Sequence, residues 1–138
     1  MINNTSNVDF QNKNVGYIPG KCNLGKEETD RRKLQTWIGM GTTILCIIVI
    51  QVFYLTQPWR LIVFIPLSYS ILCFQQARQK FCVLFGINGV YNFTDKRKVV
   101  AIKEEESLEK DRKKAWQIIF TSTLIAFIIV IVYFYLPI

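Results

Sequence analysis

Cysteine is the residue type in this chain that offers the most chemistry, because the sequence contains no histidine. There are four cysteines, Cys22, Cys46, Cys73 and Cys82, and no two of them form a C-x-x-C pair. The lack of histidine removes His-ligated haem, His-ligated copper and His-based hydrolysis from the chemistry of this chain. We therefore expect no catalytic residue, no metal and no cofactor, and we interpret the chain as a protein that is not an enzyme.

Cys82 is the cysteine that best fits a functional thiol. It follows Arg78 and Lys80, and neighbouring cations favour the reactive thiolate form of a cysteine. A pairing of Cys73 with Cys82 is a further functional reading. Burial as a small apolar side chain is the alternative for Cys82, and it is the expected role of Cys46 and Cys73 within their apolar runs.

Two basic clusters provide a second kind of candidate site. They are Lys96, Arg97 and Lys98, and then Arg112, Lys113 and Lys114. Clustered Lys and Arg next to a membrane attract anionic headgroups, so these six residues are possible lipid contacts. The alternative is a solvated charged helix that binds nothing.

The elements that would position these side chains follow from three apolar runs, at residues 38–55, 61–74 and 116–136. About 20 apolar residues in a helix cross the ~30 Å hydrocarbon core of a bilayer. The sequence is 51% hydrophobic yet carries 17 Lys and Arg, most of which flank the runs. These features predict an all-α membrane protein with three transmembrane helices: a helical hairpin, one long C-terminal helix and an interfacial segment.

The predicted organisation divides the chain into four parts. Residues 1–33 form a polar tail, and residues 34–93 form a transmembrane hairpin with helices at 36–55 and 58–74 and an interfacial or bundle-packed segment at 81–93. Residues 94–114 form a charged helix and residues 115–138 the third transmembrane helix.

Local signals refine the helix ends. Asp30 is a fair N-cap, which predicts that the first helix begins near it. Pro66 predicts a kink in the second helix. The favourable (i, i+4) pairs Glu106–Lys110 and Glu109–Lys113 predict a helix from residue 99 that runs on into the third span. The tail has few apolar residues, so we expect that a partner surface would be needed to order it.

The distribution of basic residues predicts the orientation. The tail holds six Lys and Arg, the 56–60 connection one, and residues 75–115 ten. The positive-inside rule then places the tail inside and the C-terminus outside.

Short motifs within residues 13–90 resemble the YgaP-like transmembrane domain, a bacterial inner-membrane hairpin often fused to a rhodanese. The motifs are Asn14-Val15-Gly16, Asp30-Arg31-Arg32, Trp37-Ile38-Gly39, Phe81-Cys82 and Leu84-Phe85-Gly86-Ile87-Asn88. The family has a proline where this chain has Val83, and it lacks a third helix. The resemblance implies a membrane hairpin that can dimerise, and it implies no chemistry.

The expected function is that of a small accessory or structural subunit of a larger respiratory or transport complex, in a bacterial or mitochondrial inner membrane. Its expected partners are the lipid bilayer and other membrane subunits, with anionic lipids as a candidate partner, and no nucleic acid. The alternatives are a membrane thiol protein that uses Cys82 in sulfur or redox handling, and an anionic-lipid-binding protein.

Overall fold

The computed structural model describes residues 18–91 and 100–137 and consists mainly of helices. Three helical stretches are long and apolar enough to cross a membrane. They confirm the prediction of an all-α membrane protein with three candidate spans. The helices are α1 (Lys26–Val52), a 3-10 helix (Gln57–Val63) that leads into α2 (Phe64–Gln79), the short α3 (Val83–Asn88) and α4 (Glu105–Tyr135).

Helix α1 begins at Lys26, so the prediction of a start at Asp30 is wrong. The N-cap is Gly25, whose backbone is extended. Glu27 and Glu28 occupy the first turn, where carboxylates interact favourably with the positive end of the helix dipole. Asp30 lies inside the helix and instead accepts a hydrogen bond from Lys33 Nζ over 3.0 Å.

The second span begins as a 3-10 helix rather than as a kinked α-helix. Pro58 lies at its start, where a missing N–H leaves no bond unmade. The change to α-helical geometry occurs at Phe64, and Pro66 falls in the first turn of α2. The irregularity expected at Pro66 therefore lies before it, in the 3-10 segment. Because Pro66 has no backbone N–H, it cannot donate an α-helical hydrogen bond to the preceding turn.

Helix α2 lies in the middle of an open row, with α1 on one side and α4 on the other. Helices α1 and α2 approach closely where Gly39 meets Ser70, because a Cβ atom at Gly39 would lie 2.9 Å from the Ser70 Cβ. Toward their far ends α1 and α4 meet through Gln51 Nε2 and the Tyr133 hydroxyl, 3.5 Å apart. The two outer helices otherwise make no extended contact within the described residues.

The segment after α2 packs on the helical row. Phe81 and Val83 form a buried cluster with Ala115 and Ile118 of α4. Residues 81–91 are thus packed against the bundle, which is one of the two placements expected for 81–93, while residues 92 and 93 lie outside the described residues.

A short antiparallel pairing replaces the start of the predicted charged helix. Strand β1 (Val90–Tyr91) pairs with β2 (Val100–Ala101). The prediction of a helix over these residues is therefore wrong for residues 100–104, because β2 covers Val100–Ala101 and α4 begins only at Glu105, while residues 94–99 lie outside the described residues. The 31 residues of α4 extend about 46 Å. The predicted Glu106–Lys110 pair is confirmed, at 2.7 Å between Lys110 Nζ and Glu106 Oε1.

Candidate functional site

A buried polar junction lies where residues 18–25 cross the turn between α2 and α3. Helix α2 ends at Gln79, and its C-cap Lys80 adopts a left-handed conformation with φ of 49°. This turn presents the Lys80 carbonyl oxygen to the backbone N–H groups of Asn23 and Leu24, each at 3.1 Å. Leu24 is 1% exposed. Residues 18–25 are therefore held by their own chain, and the expectation that a partner must order the tail is wrong for them.

Asn23 forms the centre of the junction. Its Oδ1 accepts the backbone N–H of Cys82 at 2.7 Å, and its Nδ2 donates to the Cys82 carbonyl at 3.2 Å. Both residues are fully buried. The amide side chain thus satisfies both backbone groups of a residue 59 positions away, which a buried peptide requires.

The predicted thiol residue Cys82 lies in this junction beside an arginine. Arg32 Nη2 lies 3.3 Å from Cys82 Sγ, and Arg32 Nη1 donates to Gln35 Oε1 at 3.1 Å. The contact places a cation against the sulfur. The sulfur is nevertheless closed off, since Cys82 is 0% exposed. Cys73 and Cys82 are both free thiols, so the structure contradicts the suggested pairing between them.

Helix α4 completes the junction through Asp111. This fully buried residue accepts the Gly20 N–H at 2.6 Å through Oδ1. Its backbone oxygen lies against Gly86 of α3, where an added Cβ would come within 2.9 Å. Nearby, burial raises the pKa of the Tyr91 phenol. The junction thus ties the tail, α3 and α4 together, and its side chains act mainly as structural ties.

The predicted lipid-contact residues are separated by the structure. Lys96, Arg97 and Lys98 lie outside the described residues. Arg112 and Lys113 are exposed on α4, whereas Lys114 is half-buried at the edge of a groove between α2 and α4.

Two adjoining grooves near the junction were missed by the sequence reasoning. One, of about 650 Å³, runs between α2 and α4, and the other, of about 410 Å³, between α1 and α2. Phe74 and Arg78 line both. Lys33 lines the groove between α1 and α2, and Lys114 lines the groove between α2 and α4. The sequence contained a signal for these grooves. Lys33, Arg78 and Lys114 each flank one apolar run, at the end predicted to lie on the same side of the membrane as the tail.

The opposite end of the bundle is closed by Arg60. Its Nη1 donates to the backbone oxygen of Leu136 at 2.8 Å and to those of Tyr133 and Phe134 at 3.4 Å. The guanidinium also lies 5.4 Å from the centre of the Tyr133 ring. A cation on the carbonyl end of a helix is favoured by the helix dipole. Arg60, the one basic residue of the 56–60 connection, therefore caps α4.

No group of three or more His, Cys, Asp or Glu side chains that could hold a metal ion occurs within 18–91 and 100–137. Comparison of the chain with protein-family models, curated proteins and solved structures gives no match. The resemblance to the YgaP-like hairpin stays a prediction.

Proposed function

We propose that this protein is a small accessory or structural subunit of a larger membrane assembly, with a respiratory or transport complex of an inner membrane as its setting. The observation that carries the proposal is the open row of helices. Three helices can shield one another by closing into a triangle, yet in the described part of the chain α1 and α4 flank α2 and meet through Gln51 and Tyr133 without extended contact. A further membrane helix from another protein would complete the bundle.

The free face of α1 supports this role. Only 17% of the residues in the apolar stretch of α1 are buried in the protein. Ile38 and Leu45 are 59% and 60% exposed on this helix. Between them a Cβ at Gly41 would meet no atom within 4 Å. Small residues let membrane helices approach closely, so Gly41 suits contact with a partner helix.

Photo-cross-linking in native membranes tests the proposal. A photoreactive amino acid in place of Leu45 should give a discrete adduct with a second protein. The same amino acid in place of Thr43, which is buried at 4% exposure, is the matched control and should give no such adduct. A chain that cross-links at Leu45 only to lipid, and that migrates as a lone 16.1 kDa monomer in mild detergent, would contradict a subunit role.

A second candidate, a membrane thiol protein that uses Cys82 in sulfur or redox handling, is favoured by the Arg32 contact with the sulfur. Such a protein must expose Cys82 by transient opening of the junction. Alkylation of the folded chain should then modify Cys82 faster than Cys73, and Arg32→Gln should slow the reaction. Cys82 that reacts only after unfolding would rule this function out.

A further inference from the structure

The two grooves on either side of Phe74 form a continuous feature on one side of the helical row. Phe74 and Arg78 stand one helical turn apart on α2, and both line the groove toward α1 and the groove toward α4. Neighbouring helix axes are typically about 8–10 Å apart, which sets the approximate separation of the grooves. The side chain of Phe74 forms the wall between them.

Below its polar edge the groove toward α1 is apolar, whereas the groove toward α4 carries Gln75, Gln117 and Thr121 nearer to the cations and is apolar at Ile125 and Ile129. The wider groove continues along α4 from Lys114 to Ile129, roughly 22 Å along the helix axis. This length exceeds the ~15 Å of hydrocarbon in one leaflet, half of the ~30 Å core. The other groove is lined by Trp37 and Met40 below its polar edge. The larger groove is therefore long enough for an extended acyl chain, and the other, whose α1 lining from Lys33 to Met40 spans roughly 10 Å, can hold the part of a second chain next to the headgroup.

The edge of the grooves is cationic. Arg78 is common to both, and Lys33 and Lys114 stand on the two flanks. Within the described ranges, Arg78 and Lys114 make no hydrogen bond or ion pair. Lys33 pairs with Asp30 at 3.0 Å, but both side chains are more than half exposed and such pairs are weak. The Gln79 Oε1 beside them is shielded from solvent and has no partner in residues 18–91 and 100–137, so it can accept a bond from a headgroup hydroxyl.

The grooves at the opposite end of the bundle provide an internal comparison. They have volumes of about 380 and 310 Å³ and are lined by apolar and aromatic residues, with no Lys or Arg. General lipid filling therefore accounts for the apolar surfaces at both ends, whereas the cations distinguish the Arg78 end.

From the shared Arg78, the two grooves and the flanking lysines, we infer that this face binds one anionic diacyl phospholipid, with its chains on either side of Phe74 and its phosphate over Arg78. The lipid belongs to the leaflet that contacts the junction. The site uses residues other than the exposed Arg112 and Lys113, and it does not depend on the proposed subunit role.

Trp37 supplies a direct probe, since it lines one groove. In a full-length chain with Trp59→Phe and Trp116→Phe, Trp37 is the sole tryptophan. The chain is reconstituted in vesicles of phosphatidylcholine and phosphatidylglycerol, with bromine on the acyl chains of one lipid at a time, and quenching gives the relative binding constant. We expect phosphatidylglycerol to be preferred at least about fivefold, the factor that one basic residue near the surface contributes.

The variants separate a built site from diffuse attraction. Arg78→Gln should lower the preference about fivefold, the contribution of one cation, and Arg78→Lys should retain most of it. Arg112→Gln, which removes an exposed charge outside both grooves, should change it by less than about twofold. Unchanged Trp37 emission in zwitterionic vesicles checks that each variant is folded. Equal quenching by both lipids, or equal losses for Arg78→Gln and Arg112→Gln, would overturn the inference.

A second pair of variants tests the wall between the chains. Phe74→Ala should weaken the preference, because it removes the side chain that both acyl chains contact. Phe120→Ala is its matched control, since Phe120 is 69% exposed and lines neither groove. If the Phe74→Ala chain kept its full preference for phosphatidylglycerol, the binding of one acyl chain on each side of Phe74 would be contradicted.

Discussion

At the residue scale, Asn23 and Arg60 have similar structural roles at opposite ends of the bundle. Each is a polar side chain with low exposure that satisfies backbone groups of a distant segment: Asn23 those of Cys82, and Arg60 the last carbonyls of α4. Removing such a side chain leaves buried polar groups unpaired, which costs more than the net gain of the original bond. These two residues should therefore be more sensitive to mutation than their polarity suggests.

We predict that Asn23→Ala destabilises the fold by about 1–3 kcal/mol, since the Cys82 N–H loses its partner while the Cys82 C=O keeps its bond from the Gly86 N–H. Thermal unfolding of the detergent-solubilised chain measures the loss. Asn88→Ala, at an exposed position at the end of α3, is the matched control and should be close to neutral. Equal melting temperatures for the two variants would show that the Asn23 bonds do not stabilise the junction.

We also predict that Arg60→Gln loosens the C-terminal end of α4. Hydrogen bonds from a charged donor contribute about 1.5–3 kcal/mol, and glutamine restores neither the charge nor the reach of the guanidinium. Hydrogen–deuterium exchange should increase over the last turn of α4. Arg31→Gln, which removes a surface pair with Glu28 at 3.3 Å, should leave that exchange unchanged. Similar exchange in both variants would contradict a capping role.

At the element scale, the sequence predicts features that depend on neighbouring residues and misses those that depend on distant ones. The three spans and the Glu106–Lys110 pair were predictable, because hydropathy and helical spacing are local signals. The pairing of Val90 with Ala101 was not, since no local pattern identifies which two-residue strands will meet. The contact of Asn23 with Cys82 was hidden for the same reason, and so the sequence left burial of Cys82 as one of two alternatives.

Gly39 and Gly41 illustrate this limit on α1. Both lie in the same apolar run of the sequence, but the structure gives them different surroundings. Gly39 lies against Ser70, while Gly41 has open space around it. We predict that Gly39→Ala destabilises the α1–α2 contact by about 1–3 kcal/mol through overpacking. Gly41→Ala should be neutral or stabilising by up to about 1 kcal/mol, since alanine is the better helix former. Thermal unfolding in detergent measures both, and a Gly39→Ala chain as stable as Gly41→Ala would contradict the close approach.

At the scale of the whole molecule, the two ends of the bundle differ in charge. The tail-side end combines the buried junction with Lys33, Arg78 and Lys114 at the grooves, whereas the far end has Arg60 as its cation among the described residues, held against α4. This difference in charge is the basis of both the predicted orientation and the inferred lipid site. Both follow if the tail-side end faces the leaflet that is rich in anionic lipid.

The orientation itself is open to direct measurement by cysteine labelling in right-side-out membrane vesicles. Tyr54 lies in the connection between the first two spans and is 93% exposed, whereas Arg112 is exposed on the tail-side part of α4. Because basic residues are retained on the inner side, Tyr54→Cys should react with a membrane-impermeant maleimide and Arg112→Cys only after permeabilisation. The native chain, with its four free cysteines, gives the background. Labelling of Arg112→Cys alone in intact vesicles would reverse the orientation, and the inferred lipid site would then face the outer leaflet.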